Sequence, residues 1–314
     1  MAYFNGNDDF LIALKGENGG CNPNLLINGN FQINQREEKT YKVKPTAWAR
    51  TYTVDRWFIT PQIADSTSSV EINKDGSVKL SLVEPYCNFS QVIENQKQLC
   101  GIKLTASACV RNTGATNVWF CISSRHADSS LENVAVVNIP AGANGVFYCT
   151  GTPVDDAHIA VRFVLPSGRS NAVVEVDWVK LEVGEVATPF SPRPYAEELA
   201  LCQRYYYKLN YAAHHLALTL ANNTARALIQ LPTTMRVLPT ITYNNNATPD
   251  YARYVLYVFG NAYKLKSIAN ANTDFWGGDK MQLLMTVTDG MALQSNQAAI
   301  YRPWESLRFD AEIY

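Results

Sequence analysis

The sequence predicts an all-β chain of two β-sandwich domains, joined by a proline-rich link and a short helix. Three observations carry that reading. Only 18 % of the 314 residues are charged, while 11 % are aromatic. Soluble proteins average roughly 25 % charged residues, and a low-charge chain with many Tyr, Val and Thr suits β-structure. Short apolar–polar alternations recur along the chain, separated by turn residues at close intervals. No helix of length interrupts them, and 314 residues suffice for two domains with real cores.

Composition also excludes function classes. The formal net charge is −1, so no basic field exists to hold a phosphate backbone, and nucleic acid is not an expected partner. The first twenty residues have no basic start and no long apolar run. A signal peptide, a membrane anchor and membrane insertion are therefore not expected. Seven cysteines are spread through the chain without a C-x-x-C. That odd, unpatterned set predicts reduced thiols and cytoplasmic synthesis. Cys109, Cys121 and Cys149 fall in strand-like runs, where a free Cys acts as a small apolar residue.

Residues 1–23 form a Gly- and Asn-rich segment whose apolar run is Phe10, Leu11, Ile12 and Leu14. It reads either as a frayed terminus or as a peptide that orders on docking. From Asn24 the strand signals begin. Leu25, Ile27 and Phe31 mark an irregular opening strand, and Glu37 to Ala49 reads as a charged loop. Tyr52 to Ile59 follows, with Trp57 assigned to the core. Ser69 to Asn73 and Ser77 to Val83 flank an Asp75-Gly76 turn, a hairpin signal. Ile102, Leu104, Ala106, Ala108 and Val110 alternate with polar residues, the pattern of a strand with one face inward. Further runs at Asn117–Ser123, Val134–Ile139, Val146–Thr150, Ile159–Leu165 and Ala172–Val183 complete the first domain, spanning 24–190.

In the closing run, Val174, Val176, Trp178 and Lys180 point one way, and Val173, Glu175, Asp177, Val179 and Leu181 the other. Thr188-Pro-Phe-Ser-Pro-Arg-Pro194 then places three prolines in seven residues, incompatible with a helix interior or central strand. Pro194 suits a first helical turn, and Glu197 and Glu198 suit the positive end of a helix dipole. Tyr195, Leu199, Cys202 and Tyr206 recur at helical spacing, so residues 191–209 read as link and helix. The second domain, 210–314, offers strands at His214–Leu220, Ala225–Leu231, Thr240–Tyr243, Tyr254–Phe259, Tyr263–Ile268, Met281–Thr288 and Ser306–Tyr314.

Three motifs carry a family resemblance. They are Asn24-Leu-Leu-Ile-Asn-Gly-Asn-Phe31, Val54-Asp-Arg-Trp57, and the junction from Asp177-Trp-Val-Lys-Leu-Glu through Thr188-Pro-Phe to Gln203-Arg-Tyr-Tyr206. Together they resemble phage tail fibre and tail appendage proteins, in which a carbohydrate-binding-module-like jelly roll precedes a receptor-facing β-domain. The resemblance spans roughly Asn24 to Leu209 and is carried by the ends. It implies jelly-roll-like domains and a virion protein, assembled in the host cytoplasm, that attaches to a host-surface glycan. It implies attachment to other virion proteins through residues 1–23, and a homotrimer whose seam is Tyr195, Leu199, Cys202 and Tyr206. It also implies a structural calcium near Asp177, although Asn30 and Gln32 stand where an acid is expected; no other cofactor is expected. A cellular carbohydrate-binding module and a polysaccharide depolymerase are the alternatives.

Catalytic motifs are absent: no G-x-S-x-G, Walker loop, H-E-x-x-H or zinc spacing occurs. Asp155-Asp156 and Glu197-Glu198 are sequence neighbours and do not suggest carboxylates facing across a sugar. No enzyme activity is expected. The glycan candidates are Asp274, Phe275, Trp276 and Asp279, with Tyr243 and Tyr251 on the same rim. An exposed Trp stacks on a sugar ring while carboxylates and amides bond its hydroxyls. Folded back, the same Trp plugs its own loop.

Overall fold

The computed structural model describes residues 21–94, 96–125, 131–154, 158–210, 214–220, 223–243, 254–258, 261–270, 280–287, 297–303 and 306–312. They fall in two compact units, one ending at Glu198 and the other running from Leu199 onward.

The N-terminal unit contains β1 (Thr40–Lys42), β2 (Thr51–Tyr52), β3 (Phe58–Thr60), β4 (Ser69–Ile72), β5 (Val78–Leu82) and β6 (Asn88–Val92). These are followed by β7 (Leu104–Asn112), β8 (Val118–Arg125), β9 (Leu131–Ile139), β10 (Asn144–Gly151), β11 (His158–Val164) and β12 (Ala172–Val183). They form two six-stranded antiparallel sheets, ordered β1-β4-β5-β12-β7-β10 and β2-β3-β6-β11-β8-β9. The alternations explain the layering. Leu104, Ala106, Ala108 and Val110 of β7 and Val118, Phe120 and Ile122 of β8 all turn inward and are buried. Trp57, fully buried, stacks on Phe89 at 5.0 Å and meets Phe31 edge-on at 5.4 Å. The Asp75-Gly76 turn forms as expected, with Gly76 at φ 89° and Ser77 N donating to Asp75 Oδ1 at 3.0 Å.

Three local readings are corrected. Thr40–Lys42, inside the expected charged loop, pairs with β4 as an edge strand. Strand β6, Asn-Phe-Ser-Gln-Val, carries too few apolar residues to announce itself, yet lies central between β3 and β11. In β12 the alternation changes face midway. A bulge between Val176 and Trp178 shifts the register against β7, so Val174 and Val176 are buried in the core, and then Val179, Leu181 and Val183.

The helix α1 (Tyr195–Gln203) opens with Glu197 and Glu198 in its first turn, as the dipole favours. It ends earlier than the helical spacing implied. Tyr206 belongs to β13 (Tyr206–Leu209), paired with a strand near the C-terminus, because Leu209 and Tyr206 are buried there.

The C-terminal unit continues with β14 (His215–Leu220), β15 (Thr224–Gln230), β16 (Thr240–Tyr243), β17 (Tyr254–Val258), β18 (Asn261–Asn270), β19 (Lys280–Val287), β20 (Ala298–Pro303) and β21 (Leu307–Asp310). It is all-β, as expected, but layered differently from a sandwich. Strands β14-β15-β19-β18-β17-β20 close into a barrel, and β13-β21-β16 form a small separate sheet. Closure follows from β20, which pairs with both β14 and β17 and leaves no open edge. Ala225, Ala227, Ile229, Leu256, Leu265 and Tyr301 fill the second core with Leu307 and Phe309.

Candidate functional site

The second sheet of the N-terminal unit presents its outward face as a concave floor. Register fixes which residues share it. Phe58 pairs with Ser90, Ser90 with Arg162, and Arg162 with Cys121. In one flanking row Thr60 pairs with Asn88; in the other, Val92 pairs with Ala160 and Ala160 with Ser123. Neighbouring strands lie about 4.8 Å apart, so these side chains stand side by side on one surface. Their inward neighbours, Ile59, Phe89, Val161 and Phe163, are fully buried in the core.

A cavity of about 570 Å³ lies on this floor. Asn88, Ser90, Thr60 and Ser123 give it a polar base, and Phe58, Val92 and Ala160 give it apolar patches. Ser90 Oγ donates to Asn88 Oδ1 at 2.7 Å, and Asn88 Nδ2 donates to the Tyr86 carbonyl, which orients the amide. Lys44, Arg50, His158 and Arg162 bring basic groups, and the described lining contains no Asp or Glu. Arg50 lies over the Phe58 ring, its Cζ 4.6 Å from the centroid. Burial pushes the Cys121 thiol up, and the Arg162 guanidinium beside it pulls the other way.

One wall is the loop between β1 and β2. Trp48 projects from it, 60 % exposed, with φ 62°. A bulky residue in the left-handed region is strained, on the order of 1–3 kcal/mol, and persists only where its surroundings fix it. Here Trp48 N donates to the Pro61 carbonyl at 2.8 Å, Lys44 N donates to Thr51 Oγ1 at 2.9 Å, and Asp65 N donates to the Pro45 carbonyl at 2.9 Å. The indole is thus held out at the rim instead of folding onto the core.

Most residues singled out in the sequence lie elsewhere. Asp274, Phe275, Trp276, Asp279 and Tyr251 lie outside the described residues, as do Phe10, Leu11, Ile12 and Leu14. Tyr243 ends β16, its backbone paired with Leu307. Tyr195 is 59 % exposed, Leu199 is half-buried, and Cys202 and Tyr206 are buried, the last on a strand; the four do not make one continuous helical stripe.

The opening segment, the Val54–Trp57 segment and the Asp177–Phe190 part of the junction meet in one corner. Asn24 Nδ2 donates to the Val179 carbonyl, and Leu181 N donates back to Asn24 Oδ1 at 3.0 Å. Val179 N donates to the Gly29 carbonyl at 2.7 Å, and Trp57 Nε1 to that of Asn28 at 2.9 Å. Asp55 accepts from Gln35 N and pairs with Arg36 at 3.3 Å. Trp178 stacks on Phe190 at 4.9 Å. These residues hold the opening segment against β12. Asp177 sits exposed on the bulge, where its Oδ2 accepts from Cys109 Sγ at 3.3 Å. Among the described residues, no three His, Cys, Asp or Glu assemble into a possible metal site.

The floor was missed because none of its residues is unusual alone. The available signal was polar spacing at alternate positions, Asn88 and Ser90, then His158 and Arg162, on strands whose other face is apolar.

No family model matches the chain, and no curated protein matches it. Among solved structures it is similar to carbohydrate-binding domains. A family 4 carbohydrate-binding module is 20 % identical, covering 50 % of this chain and 98 % of that one, at TM-score 0.35. The xylan-binding CBM22-1 domain of Paenibacillus barcinonensis Xyn10C is 10 % identical, covering 54 % and 100 %, at 0.33. A putative sugar-binding protein of Bacteroides thetaiotaomicron is 14 % identical, covering 52 % and 100 %, at 0.35. At these scores they are likenesses and nothing more.

Proposed function

We propose that the N-terminal unit binds a saccharide on the outward face of its second sheet, without cleaving it. The observation that carries this is the cavity itself: a polar floor of Thr60, Asn88, Ser90 and Ser123 beside the exposed, backbone-strained Trp48. An indole face packs on the apolar face of a sugar ring, and fixed amides and hydroxyls bond the sugar's equatorial groups. A volume of about 570 Å³ holds a short oligosaccharide segment. The described lining offers no carboxylate, whereas glycoside hydrolysis generally needs two.

The test is binding of the full chain to a panel of immobilised polysaccharides, comparing Trp48→Ala with wild type. Retention of at least one polysaccharide, weakened about tenfold or more by the substitution, is the expected result. Equal retention of both proteins on every polysaccharide sinks the assignment.

The virion setting and a three-chain assembly enter this reading through the junction motif alone. Antibody labelling of purified virions and light scattering test them. A mass near one chain removes the trimer, and unlabelled virions remove the setting.

A further inference from the structure

We propose that Cys21 and Lys180 form a modification site, where oxidation by a hydroperoxide joins the two side chains through a sulfur–nitrogen bond. Lys180 Nζ lies 3.4 Å from Cys21 Sγ. Reacting atoms about 3–3.5 Å apart are already within range of attack. The two groups differ in access. Of the seven cysteines Cys21 is the exposed one, whereas the Lys180 side chain is only 1 % exposed. A small oxidant therefore reaches the sulfur from solvent, and the amine meets it from the protein side. Neither residue lines the saccharide cavity, so the inference stands apart from that reading.

The pair is held together by the proline-rich link. Cys21 Sγ donates to the Pro189 carbonyl at 2.7 Å, and the Lys180 ammonium donates to the same carbonyl at 3.0 Å. The next residue fixes the approach of the chain: Asn22 N donates to Thr188 Oγ1, and Asn22 Nδ2 to the Val183 carbonyl, each at 3.1 Å. Glu182 Oε2, 3.2 Å from Lys180 Nζ, stands ready to accept a proton.

Two steps make the bond. The Cys21 thiolate attacks the near oxygen of the hydroperoxide, and the O–O bond breaks. Sulfur is oxidised to a sulfenic acid, and the peroxide is reduced to water or an alcohol. Lys180 gives one ammonium proton to Glu182, and the freed lone pair on Nζ attacks the sulfur. The S–O bond breaks, and hydroxide leaves as water with a second proton from the nitrogen. The product is a sulfenamide, two hydrogens lighter than the reduced chain. Two thiols of an added reductant return the amine and the thiol. The link joins positions 159 residues apart and, like a disulfide, restricts the unfolded chain.

The test treats the full chain with hydrogen peroxide, digests it with chymotrypsin without reductant, and maps the peptides by mass. A peptide containing Cys21 should appear joined to one containing Lys180, and dithiothreitol should separate them. The melting temperature should rise by about 5 °C on oxidation and fall back on reduction. Cys21→Ser should abolish both effects. Lys180→Arg keeps the cation but not the amine, and should leave Cys21 as a sulfenic acid that a cyclic 1,3-dione traps. Melting curves of the untreated variants confirm that both fold. Cys21 oxidised to sulfinic acid or to a disulfide, with the Lys180 peptide unmodified, overturns the proposal. So does the same cross-linked mass in the Lys180→Arg chain.

Discussion

Lys180 and Glu182 face one another at 3.2 Å on β12 while only 1 % and 0 % exposed. Two residues apart on a strand, they share a face. That face is covered by the proline-rich link, which cannot form a ladder of its own. The ammonium donates to Thr188 Oγ1 at 2.5 Å, to the Pro189 carbonyl at 3.0 Å and to Cys21 Sγ at 3.4 Å. The carboxylate accepts from Thr188 N at 2.8 Å. One buried ion pair thus ties the Thr-Pro-Phe segment to the sandwich.

Breaking that pair from one side strands a buried charge. Lys180→Met is expected to destabilise the N-terminal unit by about 3–5 kcal/mol. Adding Glu182→Leu should recover most of the loss, since both charges are then gone. Denaturant unfolding of the two variants measures this; a double variant no more stable than the single one refutes it.

Gly29 is fixed by a close approach. A Cβ there would stand 2.4 Å from the Val179 carbonyl oxygen and 2.5 Å from Asn24 Nδ2. Backbone cannot yield cheaply, so Gly29→Ala should cost about 1–3 kcal/mol. Gly142→Ala, whose Cβ meets nothing within 4 Å at φ 74°, should cost only the left-handed strain, on the order of 1 kcal/mol. Melting temperatures of the pair check the ranking.

None of the seven cysteines is joined in a disulfide, and their thiols differ. Burial pushes Cys87 and Cys149 up to about 12, and burial with the Asp177 carboxylate pushes Cys109 up to about 11. Only thiolate reacts readily. Native alkylation near neutral pH should therefore spare these three and label the exposed Cys21 first. Mass mapping of labelled peptides that finds Cys87 modified early contradicts the burial.

His215 pairs with Tyr301 on the neighbouring strand β20, ring centroids 6.2 Å apart. Burial, helped by the His214 charge, holds its pKa below the usual histidine value. The folded unit then binds fewer protons than the unfolded chain. Its contribution is present above the ordinary histidine pKa of about 6.5 and is lost as pH falls toward the lower folded value. Barrel melting should drop between about pH 7 and about pH 5, and His215→Phe should flatten that drop. An unchanged profile in the variant would assign the acid sensitivity to other groups.

Much of the strand placement along the chain was legible in the sequence by itself. The alternation at Leu104–Val110 named core residues correctly, because a period of two states which side chains share a face. Asp75-Gly76 set a turn, and the prolines after Thr188 ended the first sheet, because both are local backbone chemistry. Tertiary structure decided the rest. The bulge beside Asp177 moved Val179 and Leu181 into the core, although the unbroken alternation placed them opposite Val176. Strand β20 closed the barrel only by finding both β14 and β17. The cavity depends on Phe58, Ser90 and Arg162, from three strands separated by long stretches of chain, falling into one row. A side-chain period records what each strand turns inward; partner and register determine what the outward faces build together.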